Sequence, residues 1–277
     1  MHLVLTTERV AVGGDCIARE PDGRVVFVSG ALPGETVRAE VVSRSKDFWR
    51  ARCEEVLEGS ADRVAAPCVH RSAGCGGCGW QHIAAPAQQR LKVEIVRDAL
   101  ARQGRLPGAE VAGGEAVEPF GYRTTVRFAV TADGSPAFRR GGSHALVPVP
   151  DCAVAHPALS GALGSIRAPG ADELVLRISE HSGRGTALAL GDASHTVISG
   201  LPPTFSSGPD AFLEEAVCGR PLRVSAASFF QSSPHSAEAL VRAGLEFARE
   251  RQARVVPACS YVAKFIERHR EYQSLLS

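Results

Sequence analysis

Three cysteines, Cys68, Cys75 and Cys78, lie close together in a glycine-rich run that ends in Gly79, Trp80, Gln81 and His82. A fourth, Cys152, stands far downstream between Asp151 and Ala153. Three clustered thiolates and one distant thiolate form the ligand pattern of a cubane iron–sulfur cluster, in which four cysteines hold the iron. Such a loop must curl round its cargo and turn backbone N–H groups toward sulfur, so Gly76 and Gly77 are expected to adopt positive φ. Two alternatives stay open. Four cysteines also bind zinc, although structural zinc more often uses two tight knuckles, and here only one pair is tight. Disulfides are the other alternative. The chain starts Met1-His2-Leu3-Val4 without a basic segment or a long apolar run, which points to a reducing cytoplasm, where disulfides are rare. The remaining cysteines, Cys16, Cys53, Cys218 and Cys259, have no ligand spacing and read for the most part as buried apolar thiols.

Length and charge limit what must position these groups. The chain has 277 residues, 44% of them hydrophobic, which suffices for two or three compact domains. A formal net charge of +1 provides no global basic field, so any nucleic-acid contact must come from a local basic face. No uninterrupted apolar stretch is long enough for a membrane span.

Residues 1–62 read as an all-β unit. Short apolar runs at 3–5, 25–28, 37–42 and 52–57 are separated by turn signals such as Gly13-Gly14 and Pro21-Asp22-Gly23. That rhythm suggests a five-stranded OB-like barrel. Arg44, Lys46, Trp49 and Arg50, with Phe48 and Arg52, combine basic and aromatic residues in the way single-stranded nucleic-acid platforms do. The plainer reading is that the aromatics belong partly to the core and the arginines to the solvent. Helical spacing of Leu91, Ile95, Val96, Ala99 and Leu100 predicts a helix over 85–103, ending near Gly104. Strands are predicted at 122–130 and 137–140, with a hairpin pairing 174–178 and 186–190. A helix over 236–251 buries Leu240, Val241, Gly244, Leu245 and Ala248. A short strand at 255–256 and a helix over 261–270, with Tyr261, Phe265 and Ile266 as its stripe, complete the chain. The fold class is therefore multidomain. It comprises the barrel (1–62), an α+β iron–sulfur central domain (63–235, with the loop 68–82 and Cys152 folding back on it) and a short α/β tail (236–277).

The ordered set Cys68, Cys75-Gly76-Gly77-Cys78, Gln81-His82, Gly121-Tyr122-Arg123, Asp151-Cys152 and Phe229-Phe230-Gln231 resembles the S-adenosylmethionine-dependent RNA uracil-5 methyltransferases, which act on ribosomal or transfer RNA. The resemblance runs over about residues 1–245 and implies a TRAM barrel followed by a central domain. It also implies a [4Fe-4S] cluster on Cys68, Cys75, Cys78 and Cys152. Phe229 is similar to the aromatic that fills the stack when the target uridine is flipped out, and Gln231 to a residue that contacts S-adenosylmethionine. The residue types alone favour core packing for Phe229 and Phe230.

The family then continues with a Rossmann-like domain carrying the cofactor loop, a cysteine nucleophile and a base. The stretch after residue 251 is too short for such a domain. Residues 238–276 instead resemble the end of a small GNAT-like acyltransferase. The expectation is an RNA-binding, iron–sulfur front part unable to methylate alone. The alternatives are a methyltransferase completed by a partner chain, or an acyl-coenzyme A-binding GNAT-like protein.

Overall fold

The computed structural model describes residues 1–191, 196–217 and 220–276, apart from the side chains of residues 220, 260 and 261. Cys218 lies outside the described residues. The chain divides into two compact units, Met1–Gly114 and Glu115–Ser277.

The first unit is built on five strands, β1 (His2–Val10), β2 (Cys16–Arg19), β3 (Val25–Ser29), β4 (Thr36–Arg44) and β5 (Phe48–Glu58). They close into a barrel in the order β1-β2-β3-β5-β4. Alternation sends Leu5, Val26, Val28, Val37 and Ala39 inward. Small residues at Cys16, Ala18, Ala39 and Ala51 let the strands close tightly round this interior. Register shifts along β4–β5 and between Thr7 and Arg9 of β1 supply the extra bend that closure demands.

One buried ion pair locks the barrel's open end. Glu35 is fully buried, and its carboxylate accepts from Leu32 N at 2.8 Å, Ser60 N at 3.1 Å and Arg63 Nε at 2.5 Å. Arg63 Nη2 also donates to Gly30 O at 2.8 Å. Burial pushes the Glu35 carboxyl up, but these hydrogen bonds outweigh it and hold the group below the ordinary carboxylate range. After a one-turn helix, α1 (Val69–Ser72), the helix α2 (Ala85–Arg102) lays Ala87 and Leu91 on the barrel core, with Ile95 beside them. Val96, expected on that face, points to solvent.

The second unit centres on a six-stranded sheet. Its elements are β6 (Thr125–Val130), β7 (Pro136–Arg139), β8 (Leu146–Pro148), α3 (Pro157–Ala162), β9 (Glu173–Ile178), β10 (Gly185–Leu190) and β11 (Phe205–Ser207). The strand order is β11-β10-β9-β6-β7-β8, with only β10–β11 parallel. The expected hairpin is present, with Ile178 opposite Gly185 and Glu173 opposite Leu190. One face buries Val126, Phe128, Leu174, Leu176 and Ile178. β12 (Phe212–Val217) and β13 (Arg220–Ser225) form a separate antiparallel pair.

Several boundaries move. β6 starts at Thr125 instead of residue 122 because residues 121–123 pair elsewhere: Gly121 N donates to Ala153 O, Arg123 N to Val154 O, and His156 N to Arg123 O. The final helices are α4 (Pro234–Glu250), α5 (Ser260–Arg268) and α6 (Arg270–Gln273). Ser233 caps α4, its hydroxyl accepting from Ser236 N. Leu245, Ala248, Phe265, Ile266, Tyr272 and Leu275 make the shared core of these helices. Leu240, expected on that face, is exposed. The expected strand at 255–256 reduces to a single bridge between Val255 and Leu276, since Pro257 has no N–H to extend a ladder. No helix among the described residues is long and apolar enough to cross a membrane.

Candidate nucleic-acid interface and cysteine loop

The start of β5 carries the aromatic pair Phe48-Trp49, and its neighbours bring positive charge to both rings. Trp49 faces Arg44 across the β4–β5 ladder, and the Arg44 guanidinium lies 4.7 Å from the indole centroid. Arg24, just before β3, approaches the same ring at 4.4 Å. Phe48 meets Phe27 edge-on at 5.4 Å, and Arg50 sits over both, at 5.4 Å from Phe27 and 5.6 Å from Phe48. Lys46 is exposed in the turn between β4 and β5. The structure therefore gathers Arg44, Trp49 and Arg50, and adds Arg24 and Phe27. Those two escape sequence reading because the parallel pairing of β3 with β5 brings them in. Part of the charge is spoken for: Arg50 pairs with Asp15 at 3.0 Å, Arg52 with Glu40 at 2.7 Å and Arg24 with Asp22 at 3.0 Å. A surface of half-exposed rings flanked by guanidinium groups can stack bases and hold phosphates.

The cysteine loop is shaped by α1. Cys68 is its N-cap residue. At the other end, Gly74 N donates to Arg71 O at 2.9 Å and Cys75 N to His70 O at 2.9 Å, the paired bonds of a Schellman ending. Such an ending needs one residue in the left-handed region, and Gly74 supplies it with φ +95. Positive φ was expected at Gly76 and Gly77, and neither adopts it. The reversal is made one residue before Cys75, where the helix must stop.

This turn places Cys68 and Cys75 at opposite ends of one helical turn, and the Cys75 thiol lies near enough to Cys68 and Cys78 to feel both. Burial raises the Cys75 thiol pKa and its two sulfur neighbours add to the rise, while the Gly77 N–H pulls it down. Arg71 crosses the loop beneath them, donating from Nη1 to Cys78 O at 2.6 Å and from Nη2 to His82 Nδ1 at 3.2 Å. Gln81 accepts from Cys68 N at 3.2 Å. His82 is buried, and burial, with the charges of Arg71 and Arg63, lowers its pKa to about 4, so the ring is neutral. Trp80 fastens the loop to the barrel by donating from Nε1 to Gly14 O at 3.2 Å.

Cys152 belongs to the second unit. It is buried, its N–H donates to Ser160 Oγ at 2.9 Å and its carbonyl accepts from Ala155 N at 3.1 Å. Residues 121–123 run alongside this turn, which joins the Gly121-Tyr122-Arg123 motif to the Asp151-Cys152 motif. Among the described residues, no three His, Cys, Asp or Glu side chains are grouped to hold a metal ion. Of the other cysteines, Cys16 is an inert core thiol, its pKa pushed up to about 12 by burial first and by the Glu35 and Asp15 charges next. Cys53 is half-buried and Cys259 is exposed, so of these three described cysteines the burial expected for most of the group is complete at Cys16.

The Phe229-Phe230-Gln231 segment also departs from a core reading. Phe229 is 85% exposed, while Phe230 and Gln231 are half-buried.

The TRAM domain model matches residues 4–52. The barrel is a TRAM domain. A second model, described as GCN5-related N-acetyl-transferase, matches residues 235–275, the region of α4 to α6. An RNA methyltransferase of Streptomyces avermitilis, named as uncharacterized, is 34% identical over 86% of this chain and 61% of its own length. The 23S rRNA (uracil(1939)-C(5))-methyltransferase RlmD of Halomonas elongata is 45% identical over 59% of this chain and 34% of its own. The crystal structure of Pyrococcus abyssi tRNA (uracil-54, C5)-methyltransferase in complex with S-adenosyl-L-homocysteine superposes with a TM-score of 0.57 at 18% identity. It covers 87% of this chain and 64% of that one, and the likeness is one of fold. The chain thus spans about three fifths of the Streptomyces relative and a third of the Halomonas one.

Proposed function

We propose that this chain is the RNA-recognising part of an S-adenosylmethionine-dependent RNA (uracil-5) methyltransferase. The reading rests foremost on the rim of the TRAM barrel, where Arg24, Arg44 and Arg50 surround Trp49, Phe27 and Phe48. The rings offer flat faces to bases of any identity, and the guanidinium groups offer charge to phosphates. Phe229 supports the same reading, because a phenylalanine this exposed is available to stack in the space left by an extruded uridine. Gln231, two residues on, is the residue that would contact the methyl donor.

Cys68, Cys75, Cys78 and Cys152 would hold a [4Fe-4S] cluster. An all-thiol donor set suits iron–sulfur ligation, and Cys75 lies near enough to Cys68 and Cys78 to feel both. When bound, the cluster supplies a structural clip. Arg71 brings a positive charge beside Cys78, whose carbonyl accepts from its Nη1 at 2.6 Å.

Two measurements test the reading. RNA affinity of the full chain should fall with salt, with a log–log slope of about −0.7 for each phosphate contact on single-stranded RNA; a salt-independent affinity would remove the electrostatic part. Anaerobically purified protein should contain iron and acid-labile sulfide in equal amounts. Cys152→Ala should lose the brown absorbance, and full retention of it would contradict the ligand assignment.

A further inference from the structure

Arg177 of β9 is only 3% exposed, and burial, with no neighbouring carboxylate among the described residues, is what acts on its guanidinium. It faces away from the Leu174–Leu176–Ile178 core row, opposite Thr125 of β6 on one side and Thr186 of β10 on the other. Thr125 Oγ1, Thr186 Oγ1 and Arg177 Nε and Nη1 are all buried without a hydrogen-bond partner on the protein among the described residues. A buried guanidinium held this way is costly, and an apolar side chain of similar volume would serve packing better. Stability therefore does not account for arginine at this position.

What Arg177 does hold is the backbone. Its Nη2 donates to Ser228 O at 2.6 Å. Ser228 ends a tight turn in which its N–H donates to Ser225 O at 3.2 Å and its hydroxyl to the same carbonyl at 3.0 Å. The next residue is Phe229. Three residues further on, Ser232 O accepts from Thr124 N at 2.8 Å and from Thr124 Oγ1 at 3.3 Å. Thr124 directly precedes Thr125, which lies opposite Arg177. The two anchors are therefore neighbours in the sheet, and residues 229–231 form a strap clamped at both ends. Between the clamps the Phe229 ring stands 85% exposed.

The geometry points to Arg177 as a positioning residue that fixes the strap so that Phe229 is presented outward for stacking on a nucleobase. The inference rests on the RNA-stacking reading of Phe229. Thr124 fixes the Gln231 end through the backbone and can do so with many side chains in place. The Ser228 end depends on a donor long enough to reach from β9, which only a long side chain at 177 provides.

The test uses the full chain and a uridine-rich hairpin RNA carrying 2-aminopurine next to a loop uridine. Phe229→Ala should abolish the fluorescence change on binding and weaken affinity by ~10-fold. Arg177→Met should lose at least half of the fluorescence change, Arg177→Lys should restore most of it, and Arg177→Met in the Phe229→Ala background should add nothing. A full signal in Arg177→Met, or a loss of affinity on adding Arg177→Met to Phe229→Ala as large as its loss in the parent chain, overturns the positioning role. A second readout is independent of RNA: the ¹⁹F spectrum of 4-fluorophenylalanine placed at position 229. It should show one resonance in the parent chain and a shifted or split resonance in Arg177→Met. An unchanged ¹⁹F spectrum overturns the inference even if Phe229→Ala leaves RNA fluorescence unaltered, an outcome that would by itself refute only the stacking reading. If Arg177→Met does not fold, Arg177→Gln carries the same two measurements.

Discussion

Two buried charges show the contrast between the barrel and the sheet. In the barrel, the Glu35 carboxylate is surrounded by Arg63 and two backbone donors, and Arg63 itself reaches Gly30 O. In the sheet, Arg177 is almost as buried but makes one hydrogen bond, to a loop carbonyl, and leaves Nε and Nη1 unpartnered. The satisfied network closes a barrel and seats the cysteine loop. The under-satisfied one supports a three-residue strap that holds an aromatic ring in water. A fully partnered buried charge of the Glu35 kind fixes architecture, whereas buried donors left without protein partners need an account of their own.

The contrast has measurable consequences. Glu35→Ala leaves the Arg63 charge and two backbone donors without their acceptor, and should destabilise the first unit by about 3–5 kcal/mol in denaturant unfolding. A loss below about 1 kcal/mol would show that the pair does not lock the barrel. Acid attacks the same region. His82 is kept neutral, its pKa lowered from 6.5 to about 4, so the unfolded chain binds more protons between those values. Its contribution is complete above pH 6.5 and lost as pH falls toward 4, on the order of 3 kcal/mol. Glu35, also held below its ordinary value, adds a loss of the same sign at lower pH. A melting temperature flat from pH 7 to pH 4 (about ±1 °C, small beside the several degrees that 1 kcal/mol is worth) would contradict the neutral buried imidazole.

Gly14→Ala tests how the loop is fastened. Gly14 has φ +97, and a Cβ there would come within 2.7 Å of Trp80 Nε1. The cost should be about 1–3 kcal/mol, with a change in the near-ultraviolet dichroism of Trp80. The smallest effect belongs to the sheet. Arg177→Met should change stability by less than about 1 kcal/mol, since it removes two unpartnered donors along with one hydrogen bond to a carbonyl of the exposed Ser228. A loss comparable to that of Glu35→Ala would erase the distinction between the two charges.

Much of the barrel is legible in the chain because alternation and turn signals are local. Leu5, Val26, Val28 and Val37 mark its interior, and Gly13-Gly14 and Pro21-Asp22-Gly23 mark its corners. Other features depend on partners distant in sequence. Arg24 and Phe27 reach the Trp49–Phe48 rim only through the parallel β3–β5 pairing. The glycine that reverses the cysteine loop is Gly74, because α1 stops there, a boundary that cysteine spacing does not reveal. Phe229 and Phe230 look like core residues in a one-dimensional reading. Only the clamps from Arg177 and Thr124 explain why the first of them stays out. Helical periodicity places Leu240 with Leu245, yet the partners α5 and α6 cover only one side of α4 and leave Leu240 in solvent.

The account stands on RNA recognition by the barrel rim, and the most direct test is the affinity of the full chain for a uridine-containing hairpin RNA, measured beside Trp49→Ala. The parent chain should bind with a salt-dependent affinity, and Trp49→Ala, compared at a temperature where far-ultraviolet dichroism shows both proteins folded, should bind ~10-fold more weakly, about 1.4 kcal/mol. Equal affinities for the two proteins would contradict it.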